Sequence, residues 1–161
     1  VKAMALIHEK LYENENLAAI SLQEYIMELG HRIGAVFPKG RKVTIDVQSD
    51  GIELDVDTAI PLGLIICELL TNAFKYAAVG HSNPRITIAL LKLDQGKFLL
   101  TIADNGNGLP VDLDITKSKS LGLRLVRDLA RQLYGSVTYA HEQGAVFRIV
   151  FQDLATRKSI A

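Results

Sequence analysis

Four polar side chains interrupt the apolar stretch CELLTNAFKYA at residues 67–77, and their spacing is that of one helical face. Glu68 and Asn72 stand four apart, with Lys75 and Tyr76 about a turn further on, while Leu69, Leu70, Ala73 and Phe74 cover the rest. An asparagine carbonyl is a hard, neutral oxygen ligand, able to share Mg²⁺ with phosphate oxygens without repelling them. A glutamate one turn earlier can orient or deprotonate a nucleophile. A lysine one turn later can meet phosphate as a point charge. Taken alone, the same pattern also describes the solvated side of a half-buried helix.

Two further stretches carry chemistry. DNGNGLP, at 104–110, closes an apolar run: Asp104 can accept a hydrogen bond from an exocyclic amine, and Gly106 and Gly108 let backbone approach a ligand closely. KSKSLGLRLV, at 117–126, opens a helix after a turn of small residues, and the free amides of such a start favour an anion. Each has a plainer reading, a strand-ending turn in one case and a helix capped by Ser120 in the other.

The elements that position these stretches follow from hydrophobic period. SLQEYIMELGHRI, from Ser21, reads as a helix with Leu22, Tyr25, Ile26 and Leu29 on its inner side. KVTIDVQS and GIELDVD flank Asp50-Gly51 and read as a hairpin. A helix from about Thr58 to Ala78 follows, with Pro61 in its first turn. RITIALLKL and KFLLTIAD, joined through DQG, make a second hairpin, and a polar stretch, DLDITKSKS, precedes a helix over LGLRLVRDLARQLY that Gly135 ends. SVTYAHE and AVFRIVF make the last strand pair, before a frayed TRKSIA tail. The order predicts a two-layer α/β sandwich, a mixed sheet with helices on one face.

Composition narrows the function. The chain has 161 residues, enough for one well-buried core, and eighteen basic residues cancel eighteen acidic ones. No overall field favours nucleic acid or an anionic membrane, so any phosphate recognition is local. The single cysteine, Cys67, lies in the apolar helix as a packing residue, which excludes an intrachain disulfide and fits a reducing compartment. No uninterrupted apolar run reaches bilayer length, and the expectation is a soluble, cytoplasmic chain without membrane contact.

The joint order of the three stretches resembles the Bergerat ATP-binding fold of the GHKL superfamily, shared by histidine kinases, gyrase, heat-shock chaperone ATPases and MutL. CELLTNAFKYA resembles its N box, DNGNGLP its first glycine box and SLGLRLV its second, over about residues 20–152. Within that superfamily NAFKYA, the lead-in DVDTAIPLGLIICEL and the short lid between Gly108 and Gly122 are similar to sensor histidine kinases of the second HisKA type. ALIHEKLY followed by ENLAAISLQEYI resembles the end of that family's second dimerisation helix. The resemblance implies a division into residues 1–20, the remnant of a dimerisation and phosphoacceptor helix with its linker, and residues 21–161, a catalytic ATP-binding domain. It also places the phosphoacceptor histidine upstream of Val1. His8, His31, His81 and His141 match no acceptor position.

By the same resemblance Asn72 holds Mg²⁺, Glu68 serves the incoming histidine as base or orienting group, and Lys75 and Tyr76 lie at the phosphate and ribose side. Asp104 reads the adenine amine, Gly106 and Gly108 shape the pocket and hinge the lid, and Leu121 and Gly122 bring backbone near the phosphates. Two positions depart from the common pattern: Ser120 stands where many kinases have a glycine, and Ala145 where a threonine is common. The implied reaction is transfer of the γ-phosphoryl group of Mg-ATP to histidine, with a response regulator downstream and no nucleic-acid partner. An ATP hydrolase of the same superfamily and a nucleotide-binding regulatory module without turnover are the competing readings, since a glutamate at this spacing can also activate water.

Overall fold

The structure is a computed structural model in which residues 20–37, 42–49, 51–76, 81–110 and 112–155 are described. The expected helix remnant over residues 1–19, with His8, and the TRKSIA tail from Thr156 lie outside them, as do Asp50, Ala77 and Ala78.

In chain order the elements are β1 (Ile20–Ser21), α1 (Leu22–Gly34), β2 (Thr44–Gln48), β3 (Glu53–Leu54), α2 (Val56–Tyr76), β4 (Arg85–Lys92), β5 (Lys97–Asp104), α3 (Leu121–Gln132), β6 (Ser136–His141) and β7 (Ala145–Gln152). Five strands form one mixed sheet in the order β2-β4-β5-β7-β6, parallel between β2 and β4 and antiparallel elsewhere. Alternate residues point inward: Ile86, Ile88 and Leu90 from β4, Phe98, Leu100 and Ile102 from β5, Phe147, Ile149 and Phe151 from β7. They meet the stripes of the three helices, and Leu22, Ile26, Leu62, Ile65, Ile66 and Leu70 are fully buried. The two-layer sandwich expected from the element order is thus the architecture found.

The first expected hairpin is not. The turn exists, with Ile52 N–H donating to Ser49 O at 2.9 Å and Gly51 at φ 67°. The strands beside it part company, however: β2 pairs in parallel with β4, Thr44 opposite Arg85, and β3 pairs with β1 in a separate two-stranded ribbon. Alternation assigns the faces of a strand and not its neighbour. The edge of β2 is taken by β4, which returns through the α2 crossover.

Helix α2 starts two residues earlier than its apolar pattern suggests, because Asp55 caps it: Asp57 N–H donates to Asp55 Oδ2 at 3.3 Å. By length and composition α2 could cross a membrane, contrary to the sequence expectation, yet most of that length is buried inside the fold. Helix α3 ends differently from expectation. Tyr134, not Gly135, takes the left-handed conformation at φ 53°, and Gly135 N–H closes on Ala130 O at 2.9 Å. Gly135 is needed for space, since a Cβ there would lie 1.8 Å from Val150 O.

The N-terminal turn of α2 is locked to the end of the sheet by Thr58, which is fully buried. Its Oγ1 donates to Asp153 Oδ1 at 2.8 Å and accepts from Leu154 N–H at 2.8 Å. Thr58→Val keeps the shape but leaves Leu154 N–H without its acceptor and Asp153 Oδ1 with only the Ala155 N–H, and is expected to cost about 1–3 kcal/mol in chemical denaturation. An unchanged midpoint would mean that water replaces the hydroxyl.

Candidate nucleotide site

The exposed side of α2 faces the C-terminal end of β5 and the N-terminal end of β7. Between them is an open pocket of about 370 Å³ including its mouth, lined by Leu69, Asn72, Ala73, Tyr76, Ile102, Asp104, Gly108, Leu109, Ala145 and Phe147. Its walls are largely apolar, with a few convergent polar groups, the usual make-up of a small-molecule site. Asn72, Tyr76, Asp104 and Gly108, distant in sequence, are brought together here.

Asp104 is the carboxylate among the lining residues of this pocket. Its Oδ1 accepts Gly106 N–H at 2.9 Å and Ala145 N–H at 3.3 Å, so neither bond occupies Oδ2. Burial raises its carboxyl above the ordinary value and outweighs the opposing effects of the two amides and of His141 and His81. Ala145, noted for its missing hydroxyl, thus contributes through its backbone. The strand end and the β6–β7 turn touch directly here: a Cβ on Gly144 would lie 2.0 Å from Asp104 O.

Glu68 lies one turn along α2, outside the pocket lining. Its carboxylate faces the first turn of α3, where a Cβ on Gly122 would stand 2.8 Å from Glu68 Oε2. Ser120 precedes that turn without a side-chain cap bond. The absence of a side chain at Gly122 thus leaves room for the Glu68 carboxylate. Lys75 is exposed and Leu121 is 81% exposed; neither lines the pocket. Gly106 is buried and acts through its amide on Asp104.

Between the two glycine stretches, the segment from Asp112 to Ser120 is tied down by features that the sequence reading passed over. Ile115 is buried in the core. Arg127 of α3 donates to the carbonyls of both Ile115 and Thr116. Asp114 accepts Thr116 N–H at 2.9 Å, and the Thr116 bonds hold its carboxyl below the usual range. The pocket walls Leu69, Ala73, Ile102, Leu109 and Phe147 were also missed as site residues, because apolar residues in strands and helices carry no mark separating core from ligand wall.

The donor set suits Mg²⁺. No group of three or more His, Cys, Asp or Glu among the described residues could form a cage of its own. Mg²⁺ keeps water and phosphate ligands and asks little of the protein. The Asn72 side chain makes no hydrogen bond with another described residue, which leaves its amide oxygen available.

A two-layer α/β fold with an open pocket between α2 and the ends of β5 and β7 is the architecture of the ATPase domains whose family model this chain matches. More narrowly, the chain belongs to the histidine kinase-, DNA gyrase B- and HSP90-like ATPase family, whose model matches residues 57–155. A second family model, described as histidine kinase, matches residues 1–37. Among curated proteins, blue-light-activated histidine kinase 2 of Erythrobacter litoralis is 27% identical over 139 residues, 83% of this chain and 39% of the relative. Sensor histidine kinase PdtaS of Mycobacterium tuberculosis is 32% identical over 143 residues, 85% of this chain and 27% of the relative. The chain thus spans roughly a third of the length of these relatives. The solved histidine kinase domain of the Erythrobacter litoralis EL346 blue-light activated histidine kinase superposes with a TM-score of 0.81 at 24% identity, covering 99% of this chain and 75% of that one.

Proposed function

We propose that this chain is the ATP-binding catalytic domain of a two-component sensor histidine kinase. It transfers the γ-phosphoryl group of Mg-ATP to a histidine on a phosphoacceptor segment of the same full-length protein, for onward delivery to a response regulator. The observation that carries this reading is Asp104: a partly desolvated carboxylate whose Oδ1 is fixed by two backbone amides while neither bond occupies Oδ2, at the edge of an open pocket with largely apolar walls. Adenine enters against Ile102, Leu109 and Phe147 with its amine on Asp104. The phosphates run toward α3, whose first turn offers unpaired amides.

Asn72 would hold Mg²⁺ together with the nucleotide, and the ion would supply neutralisation of charge developing on the transferred group. Glu68, between α2 and the start of α3, meets the incoming imidazole. There the nitrogen lone pair forms the N–P bond as the bond to the ADP oxygen breaks, and Glu68 orients the ring or takes its proton. Lys75 and Tyr76 flank the phosphate and ribose side from the exposed end of α2. We place the domain in the cytoplasm, and its balanced charge gives it no general attraction to nucleic acid or to an anionic membrane.

Binding and transfer test separate parts of this reading. Mg-ATP at about 100 times its Kd should stabilise the fold by about 2.7 kcal/mol, a thermal shift of about 5–11 °C. Asn72→Ala should keep the fold and lose the Mg²⁺ dependence of that shift. A melting temperature indifferent to ATP and Mg²⁺ counts against the nucleotide site itself. Incubation with γ-labelled ATP should yield acid-labile phosphate on an added phosphoacceptor segment and none on the chain alone. Release of inorganic phosphate without labelling would favour a hydrolase instead.

A further inference from the structure

The loop after Asp104 supplies two pocket walls, Gly108 and Leu109, and edge strand β6 holds it from behind. Tyr139 Oη donates to Leu109 O at 2.9 Å and accepts Leu109 N–H at 2.9 Å, so one hydroxyl satisfies both polar groups of a single residue. Two residues along the same face of β6, His141 Nε2 lies 3.0 Å from Asn107 O. Gly108 sits between these attachments at φ 67°, and a Cβ there would lie 2.7 Å from His141 Cδ2. The Tyr139 ring is itself fixed, its centroid 5.1 Å from that of Phe147, another pocket wall.

We propose that Tyr139, assisted by His141, is a positioning residue of the nucleotide site: it fixes Gly108 and Leu109 in the shape that receives the base, and thereby sets affinity at the base end of the nucleotide. The inference rests on the ATP-binding reading above and adds to it a residue that need not touch the ligand. A loop held at Asn107 and at both polar groups of Leu109 presents a preformed wall, and binding then carries little cost of ordering it. Burial pushes the Tyr139 phenol up, which keeps the hydroxyl protonated and able to donate and accept at once. Asp104 lies close enough for its charge to act in the same direction, a further sign that clamp and base-reading carboxylate share one locality.

Tyr139→Phe retains the ring against Phe147 and removes only the hydroxyl. Calorimetric titration of ATP, ADP and adenosine should show a loss of about tenfold, by the same factor for all three, because the defect lies at the base end. Hydrogen exchange at the Leu109 amide should accelerate by about tenfold or more, and the nucleotide-free melting temperature should fall modestly, since both polar groups of Leu109 lose a partner. His141→Ala should weaken all three ligands in the same sense by a smaller factor. Undiminished affinity of Tyr139→Phe for ATP and adenosine, with a lowered melting temperature, would make the hydroxyl a stability device and overturn the proposal. A loss confined to ATP and ADP would overturn it too, by moving the effect to the phosphates. If the wild-type protein bound none of the three, the ATP-binding reading would fall and this inference with it.

Discussion

Asp104→Asn is expected to weaken ATP by about 10- to 100-fold and to leave the nucleotide-free fold at least as stable as the wild type. The affinity loss follows from donor and acceptor count. An ionised carboxylate only accepts, whereas the amide turns one oxygen into an NH₂ that faces the adenine amine donor to donor. A hydrogen bond to a charged group is worth about 1.5–3 kcal/mol, and each 1.4 kcal/mol is tenfold in affinity. GTP, which presents a carbonyl oxygen at that place, should lose less or gain, so the preference for ATP narrows.

The stability half follows from the raised carboxyl of Asp104. With its pKa higher folded than unfolded, the native state holds the proton more tightly, so stability falls as pH rises through the window between the two values. Above that window the charged side chain is a net cost of folding. Asparagine removes that cost while its Oδ1 can still accept Gly106 and Ala145 N–H. The advantage of the variant should therefore appear near neutral pH and vanish at pH values below the ordinary aspartate range. Lowering the pH through the raised pKa should likewise bring the ATP affinities of the two proteins together. Equal ATP affinity in both at neutral pH would reduce Asp104 to a turn residue.

Why the fold was so legible is seen in β5 and α2. KFLLTIAD is a short apolar run bounded by turn residues and is the observed strand Lys97–Asp104, while the polar face of α2 was marked by four side chains that a fully buried helix would not carry. Pairing was less legible. The β2 and β3 stretches flank a genuine turn, and local chemistry cannot reveal that the long crossover from Gln48 to Arg85 delivers β4 to the edge of β2. The site split along the same line. Asn72, Tyr76, Asp104 and Gly108 were visible as polar or glycine exceptions in apolar surroundings, and they share one pocket. Tyr139 and Arg127 were invisible, because a tyrosine in an edge strand and an arginine on a helix look like ordinary surface, and only the loops that they grip give them meaning.

Glu68 carries the second large expectation: Glu68→Gln should lower phosphotransfer to histidine by about 100-fold or more while leaving the affinity for Mg-ATP nearly intact. The side chain does not line the pocket, so it contributes little to holding the nucleotide. Positioned acid–base groups are commonly worth about 10²–10⁴ in rate, and glutamine has the size of glutamate without a basic oxygen to take the proton. Such a variant should therefore depress kcat and hardly move KM. Gly122→Ala tests the same geometry from the other side. Its new Cβ would stand 2.8 Å from Glu68 Oε2, and because the carboxylate ends a flexible side chain it can swing aside with little strain on the fold. The expected result is a folded protein that binds ATP yet transfers phosphate poorly, with less added loss when the two substitutions are combined than the product of their separate losses, since both act on one group. Undiminished transfer in Glu68→Gln, measured as phosphohistidine on an added acceptor segment, would assign the proton to the acceptor segment and leave Glu68 as a solvated neighbour of α3.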